Sequence, residues 1–160
     1  TSLLTSLIHH LPESEHLVII EDTHEIKTSR RFCTSFLAQE MAGFSLKDFC
    51  AYALRIRPDR IILGEMRSHE VVPFILAMNT GHRGLMSTIH ADSAAQAVER
   101  VGLLFSLFAG DNLPHQLAMQ LICRNINYVI HLENKKIAEI VQVLGCEEGK
   151  PLYDFVFRAS

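Results

Sequence analysis

The stretch Arg57-Pro58-Asp59-Arg60-Ile61-Ile62-Leu63-Gly64-Glu65-Met66-Arg67 holds a wholly apolar run, Ile61 to Leu63, flanked by charge and closed by Gly64 and Glu65. A run this short cannot sustain a helix, and it predicts a buried strand of a parallel sheet. Glycine at 64 lets the backbone turn and approach a ligand closely. Glu65 then stands at the strand's carboxyl end, the edge where open α/β sheets bind ligands. A carboxylate there suits two tasks, holding a metal through water or polarising an attacking water. The alternative is an ordinary loop glutamate.

Two other stretches repeat this grammar. Leu17-Val18-Ile19-Ile20 is an apolar run that delivers Glu21, Asp22 and, past Thr23 and His24, Glu25. Gly84-Leu85-Met86-Ser87-Thr88-Ile89 is a mixed run that delivers His90, Ala91 and Asp92. Three parallel strands discharging acids or imidazoles at one edge would bring Glu21, Glu65 and His90 around a shared cleft.

Composition narrows the class. A length of 160 residues suits a single domain, burying roughly two thirds of its unfolded surface. With 48% hydrophobic and 21% charged residues and a net charge of −3, the chain has ordinary globular composition. No cluster of basic residues exceeds Arg30-Arg31 or Lys135-Lys136, so nucleic-acid binding is not expected. No apolar stretch approaches the roughly 20 residues of a membrane span, and no signal peptide opens the chain. Cys33, Cys50, Cys123 and Cys146 form no CxxC pair and read as reduced thiols, not a zinc site or disulfide frame.

Along the chain, Leu3, Leu4, Leu7, Ile8 and Leu11 fall at helical spacing before Pro12. Residues 27–42 turn from polar to amphipathic, with Phe32, Phe36, Leu37 and Met41 available to pack. Ser45 is suited to cap a helix over 46–56 that Pro58 ends. Helices are predicted over 69–79, with Gly81 just beyond, over 94–108 capped by Ser93, and from Pro114 to about Arg124. Gly110-Asp111-Asn112 separates the last two. Residues 126–132, 136–144 and 152–157 read as strands, with hairpin turns at Lys135 and at Glu147-Glu148-Gly149-Lys150. Phe105 and Phe108 are expected in the core.

The segment 57–67 resembles the Walker B segment of the type II/IV secretion ATPases, the traffic ATPases of secretion systems and pili. Val18-Ile19-Ile20-Glu21-Asp22-Thr23-His24-Glu25 is similar to that family's aspartate box. Thr80-Gly81-His82-Arg83-Gly84-Leu85-Met86-Ser87-Thr88-Ile89-His90-Ala91-Asp92-Ser93 is similar to its histidine box. The motifs follow the family's order, and the resemblance covers nearly the whole chain. It implies a RecA-like P-loop NTPase core, a mostly parallel sheet flanked by helices, with a small strand-rich part at the carboxyl end. It implies ATP hydrolysis with Mg2+ by one subunit of a homo-oligomeric ring, expected to be a hexamer. That ring would work at the cytoplasmic face of the inner membrane, beside the inner-membrane components of a secretion or pilus machine. Arg55-Ile56-Arg57-Pro58-Asp59-Arg60 and Met78-Asn79-Thr80-Gly81-His82 look closest to the type IV secretion and tight-adherence pilus branch, with a retraction motor as runner-up.

The resemblance also assigns roles. Glu65 takes the place of the Walker B acid, and Glu21, Asp22 and Glu25 belong to catalytic and magnesium chemistry. Glu65 and Glu21 are the candidates to hold Mg2+ through water, and Asp22 could instead cap the turn that follows it. Which of Glu21, Glu25 and Glu65 is the base stays open. His82 and His90 would sense nucleotide and couple it to the neighbouring subunit; they lack the i, i+4 spacing of a helical zinc pair. Gly64 and Arg67 would lie at the nucleotide; Arg55 and Arg57 are either solvated cations at a helix end, favourable against its dipole, or, as the resemblance implies, contacts to phosphate or across the ring interface. The family's Gly-x-x-x-x-Gly-Lys-Thr loop is missing: no glycine precedes Gly43, and no Gly-Lys-Ser/Thr occurs. Residues 1–160 therefore read as an ATPase domain cut on its amino-terminal side. The rival from another class is a nucleotide-incompetent ring or scaffold module of the same fold.

Overall fold

The computed structural model describes residues 1–110 and 113–159. The expected break at Asp111-Asn112 lies outside the described residues. The chain forms two compact units, 1–89 and 90–160.

The first unit is a four-stranded parallel sheet in the order β2-β1-β3-β4, comprising β1 (Leu17–Glu21), β2 (Cys33–Leu37), β3 (Arg60–Leu63) and β4 (Met86–Ser87). All five residues of β1 are buried, as are Ile61, Ile62 and Leu63 of β3. Strands apolar at every position are what helices on both faces demand. Leu17, Ile19 and Ile62 form one cluster with Leu4 and Ile8 of α1 (Ser2–His9) and with Ile26. Strand alternation turns Val18, Ile20, Ile61 and Leu63 the other way. On that side α2 (Leu46–Ala53) packs against β1 and α3 (Val71–Asn79). Each buried Leu or Ile contributes roughly 1.5–3 kcal/mol to holding these strands inside.

Local signals place the helices. Ser45 and Asp48 form a reciprocal capping box at α2, which runs on into a 3-10 turn over Leu54–Ile56. Thr80 closes α3, with Gly81 beyond it at φ +91°. The Arg30 guanidinium is buried and donates to the carbonyls of Leu11, at 2.8 Å, and Pro12, holding the end of α1. Residues 33–37 are an edge strand where the sequence showed only an amphipathic tendency. Phe36 stacks on Phe49 at 4.9 Å between ring centroids, whereas Phe32, Leu37 and Met41 are exposed, Phe32 beneath the Arg31 guanidinium.

The amino ends of the strands are fastened by charge. Arg60 meets the Glu15 carboxylate through two nitrogens and donates from Nη1 to the Gly84 carbonyl at 3.5 Å. The hydrogen bonding of Arg60 to Glu15, more than any other influence, holds the Glu15 carboxyl below the usual glutamate range. Gly84 sits at φ +65°, and a Cβ there would collide with the Arg60 guanidinium. Gly84→Ala is therefore expected to cost roughly 1–3 kcal/mol, seen as a lower urea midpoint at unchanged m-value. A midpoint equal to wild type would show that Arg60 swings aside freely.

In the second unit, α4 (Ala94–Phe108) and α5 (His115–Asn125) pack together and against an antiparallel sheet. Its strands are β5 (Tyr128–Glu133), β6 (Lys136–Glu147) and β7 (Lys150–Arg158), in chain order. The Ser93 hydroxyl caps α4 by accepting from the Gln96 N–H at 3.2 Å. Both hairpins use two-residue turns with positive φ, Asn134-Lys135 and Glu148-Gly149, the geometry that matches strand twist. Phe105 is buried and Phe108 partly so.

Candidate nucleotide site

β1 and β3 run side by side with Ile20 opposite Leu63, so Glu21 and Gly64-Glu65 emerge together at one carboxyl edge. The Gly64 N–H donates to the Ile20 carbonyl at 2.8 Å. The chain bends at Gly64, as expected, and does so without entering the left-handed region. What it provides is closeness, since a Cβ would stand 3.3 Å from Cγ of Glu21.

Glu21 is 3% exposed. Its Oε1 accepts the backbone N–H groups of Glu25, at 3.0 Å, and Ile26, at 2.8 Å, while Oε2 faces Nδ1 of His24 at 3.3 Å. A buried carboxylate satisfied this way braces the loop of residues 22–26. Around it lies a pocket of about 50 Å³ whose lining includes Thr1, Asp22, Glu25, Gly64, Glu65 and Arg67. The Thr1 hydroxyl donates to Oε2 of Glu25. Arg67 spans the mouth, with Nη1 donating to Asp22 at 2.9 Å and Nη2 to Glu65. These partners, the Glu65 hydrogen bond first and the Asp22 charge next, push the Arg67 guanidinium above its ordinary value.

Thr88 clasps the turn after β3 from the side of β4. Its hydroxyl donates to the Gly64 carbonyl at 2.6 Å, and its carbonyl accepts from the Met66 N–H at 2.8 Å. The structure thus brings together Glu21, Asp22, Glu25, Gly64, Glu65 and Arg67. His82 stands at the end of α3, its Nδ1 3.2 Å from the Thr80 hydroxyl. His90 is exposed and opens the second unit. Arg55 and Arg57 are exposed at the amino end of β3, the opposite end from Glu65, so they do not share its pocket.

Sequence reading missed Glu70. It is 3% exposed, and its Oε1 accepts the backbone N–H groups of Arg67 and, at 2.7 Å, Ser68. The signal was present: a glutamate three residues after Arg67, just before an apolar helix, has capping-box spacing. Also missed was the neighbourhood of Cys123 and Cys146, two free thiols that line a hollow of about 310 Å³ in the second unit, where burial first and the Cys146 thiol next push Cys123 up to about 12. That hollow is larger, but its lining holds no carboxylate, so size does not choose the site. Among the described residues, no three His, Cys, Asp or Glu side chains converge as metal ligands.

A parallel sheet with helices on both faces and acids at the carboxyl edge of adjacent strands, in a chain that also carries a separate antiparallel sheet, defines a P-loop NTPase core of the secretion ATPase type. The chain belongs to the type II/IV secretion system protein family, whose model matches residues 1–151. It is 36% identical over 108 residues to a type IV secretion system protein VirB11 of Bartonella quintana, covering 65% of this chain and 30% of that protein. It is 30% identical over 162 residues to a putative conjugal transfer protein of Mycobacterium tuberculosis, covering 94% of this chain and 44% of that one. The VirB11 ATPase of the Brucella suis type IV secretion system, solved with sulphate, superposes with a TM-score of 0.82 at 25% identity, over 88% of this chain and 44% of that one. The chain spans less than half the length of these relatives.

Proposed function

We propose that this chain supplies the acid-bearing part of a Mg2+-dependent ATP-hydrolysing subunit in a type IV secretion or conjugation machine. The observation that carries this reading is the pocket at the carboxyl ends of β1 and β3, where Asp22, Glu25 and Glu65 meet Arg67 and the Thr1 hydroxyl. All of these except Arg67 offer hard oxygen donors, the kind Mg2+ prefers. Because among the described residues no three of these side chains are grouped closely enough to ligate one ion, Mg2+ would rest mainly on phosphate and water, which suits an ion that keeps its hydration. Bound there, it would neutralise charge on the phosphate oxygens.

We assign Glu65 to polarising water, and Glu21, whose Oε2 faces Nδ1 of His24, to fixing the loop that carries Asp22 and Glu25 and to a water-mediated metal contact. His82, His90, Arg55 and Arg57 are assigned to coupling between subunits of a homo-oligomeric ring, a hexamer by resemblance, at the cytoplasmic face of a membrane.

One observation favours the rival reading, a nucleotide-incompetent scaffold: no Gly-Lys-Ser/Thr loop occurs in these 160 residues. The backbone amides and lysine of such a loop supply most ground-state hold on the β- and γ-phosphates. The 160-residue chain alone is therefore expected to hydrolyse ATP negligibly. A chimera placing the amino-terminal part of the Brucella suis VirB11 before Thr1 should turn ATP over with Mg2+. Steady-state assays on both proteins decide: a folded, nucleotide-binding but inactive chimera would establish the scaffold, and turnover by the chain alone would refute the division of labour.

A further inference from the structure

We infer that Glu70 is a positioning residue for the nucleotide site: it tethers Arg67 so that the guanidinium bridges Asp22 and Glu65 as a built-in counter-ion. The inference deepens, and rests on, the reading of this edge as a nucleotide site. Three observations carry it. Glu70 is a buried carboxylate with a single oxygen, Oε1, accepting two successive backbone N–H groups, those of Arg67 and Ser68. Those N–H groups lie in the connection between β3 and α3, two and three residues before Glu70 at the helix N-cap, where neither strand nor helix offers them a partner, so the carboxylate meets a real demand. Arg67, held at its backbone, then reaches across from the end of β3 to an acid beyond β1, joining the two strands' carboxyl ends by one side chain.

The consequence is chemical. Asp22 and Glu65, close together at one edge, repel one another, and a fixed cation between them removes that repulsion while no metal is present. An exposed arginine roams many rotamers, so the bridge needs its backbone fixed; the side chains of Arg67 and Asp22 are 56% and 40% exposed. Glu70 provides that fixity from inside the protein, where solvent does not compete for its oxygen. An entering divalent cation must compete with the guanidinium for the same carboxylates.

The test uses the 160-residue chain, nitrogen-labelled at arginine. In wild type the Arg67 Nη resonances should be resolved by hindered rotation. Glu70→Gln keeps an acceptor oxygen at the same reach and should keep that signature. Glu70→Ala, or Glu70→Asp with its shorter reach should Glu70→Ala fail to fold, should lose it. Persistence of the signature in a folded Glu70→Ala or Glu70→Asp chain overturns the inference, as does its loss in Glu70→Gln.

Manganese titration followed by electron paramagnetic resonance separates the inference from the reading beneath it. Arg67→Ala and Glu70→Ala should bind Mn2+ roughly fivefold more tightly than wild type, the scale of one partly solvated unit charge. Unchanged Mn2+ affinity alongside the expected arginine signatures would leave the tether standing and remove the metal-nucleotide reading of the edge.

Discussion

Glu65→Gln, made in the chimera that supplies a phosphate-binding loop, should lower kcat by about 10²–10⁴-fold while nucleotide affinity changes little. Glutamine matches glutamate in size and can still accept from Nη2 of Arg67, so the turn after β3 should keep its shape. What disappears is basicity at the one carboxylate placed directly by the turn that Gly64 and Thr88 fix. Ground-state hold on the phosphates belongs to the loop, which the substitution leaves alone. Steady-state ATPase kinetics beside equilibrium binding of a labelled nucleotide separates the two effects. An unchanged kcat would make Glu65 a structural turn residue and pass the water-polarising role to Glu25 or Glu21.

Glu21→Ala should instead strike the fold, destabilising the chain by about 2–5 kcal/mol. Truncation removes the acceptor of two backbone N–H groups, those of Glu25 and of the buried Ile26, and opens a void beside Gly64. Glutamine retains an oxygen where Oε1 stands, so Glu21→Gln should lose under about 1 kcal/mol. Urea unfolding of the 160-residue chain, followed by circular dichroism, reads both. Equal losses in the two variants would mean that negative charge, not acceptance of these hydrogen bonds, is what residue 21 contributes.

Glu21 and Glu65 mark where sequence reading stops. Periodicity located β1 and β3 because strands buried on both faces must be apolar at every position, and Ile61-Ile62-Leu63 has no polar residue to confuse the pattern. Parallel pairing then followed from the helices between them, which fixed the shared edge. The spacing of Glu21, Asp22 and Glu25 could not say which carboxylate faces inward; that depends on the loop folding back so that two N–H groups meet Oε1. Edge strand β2 escaped notice because Thr34, Ser35 and an exposed Leu37 dilute its apolar signal. Arg55 and Arg57 precede β3 by only a few residues, yet they lie at its far end from Glu65, because a strand separates in space what is close in sequence. The hairpin turns were legible from local chemistry alone, Glu148-Gly149 and Lys135 needing no tertiary partner to specify them.

The two bonds made by Thr88 bear on how the carboxyl edge of the first unit would move. Thr88 is gripped through both its hydroxyl and its carbonyl by the turn that carries Glu65. One bond restrains its side-chain rotamer and the other its backbone, so Thr88 cannot shift without carrying that turn along. The end of β4 and the turn after β3 therefore behave as one piece. A displacement at Glu65 is shared with the neighbouring strand and not absorbed by the loop alone.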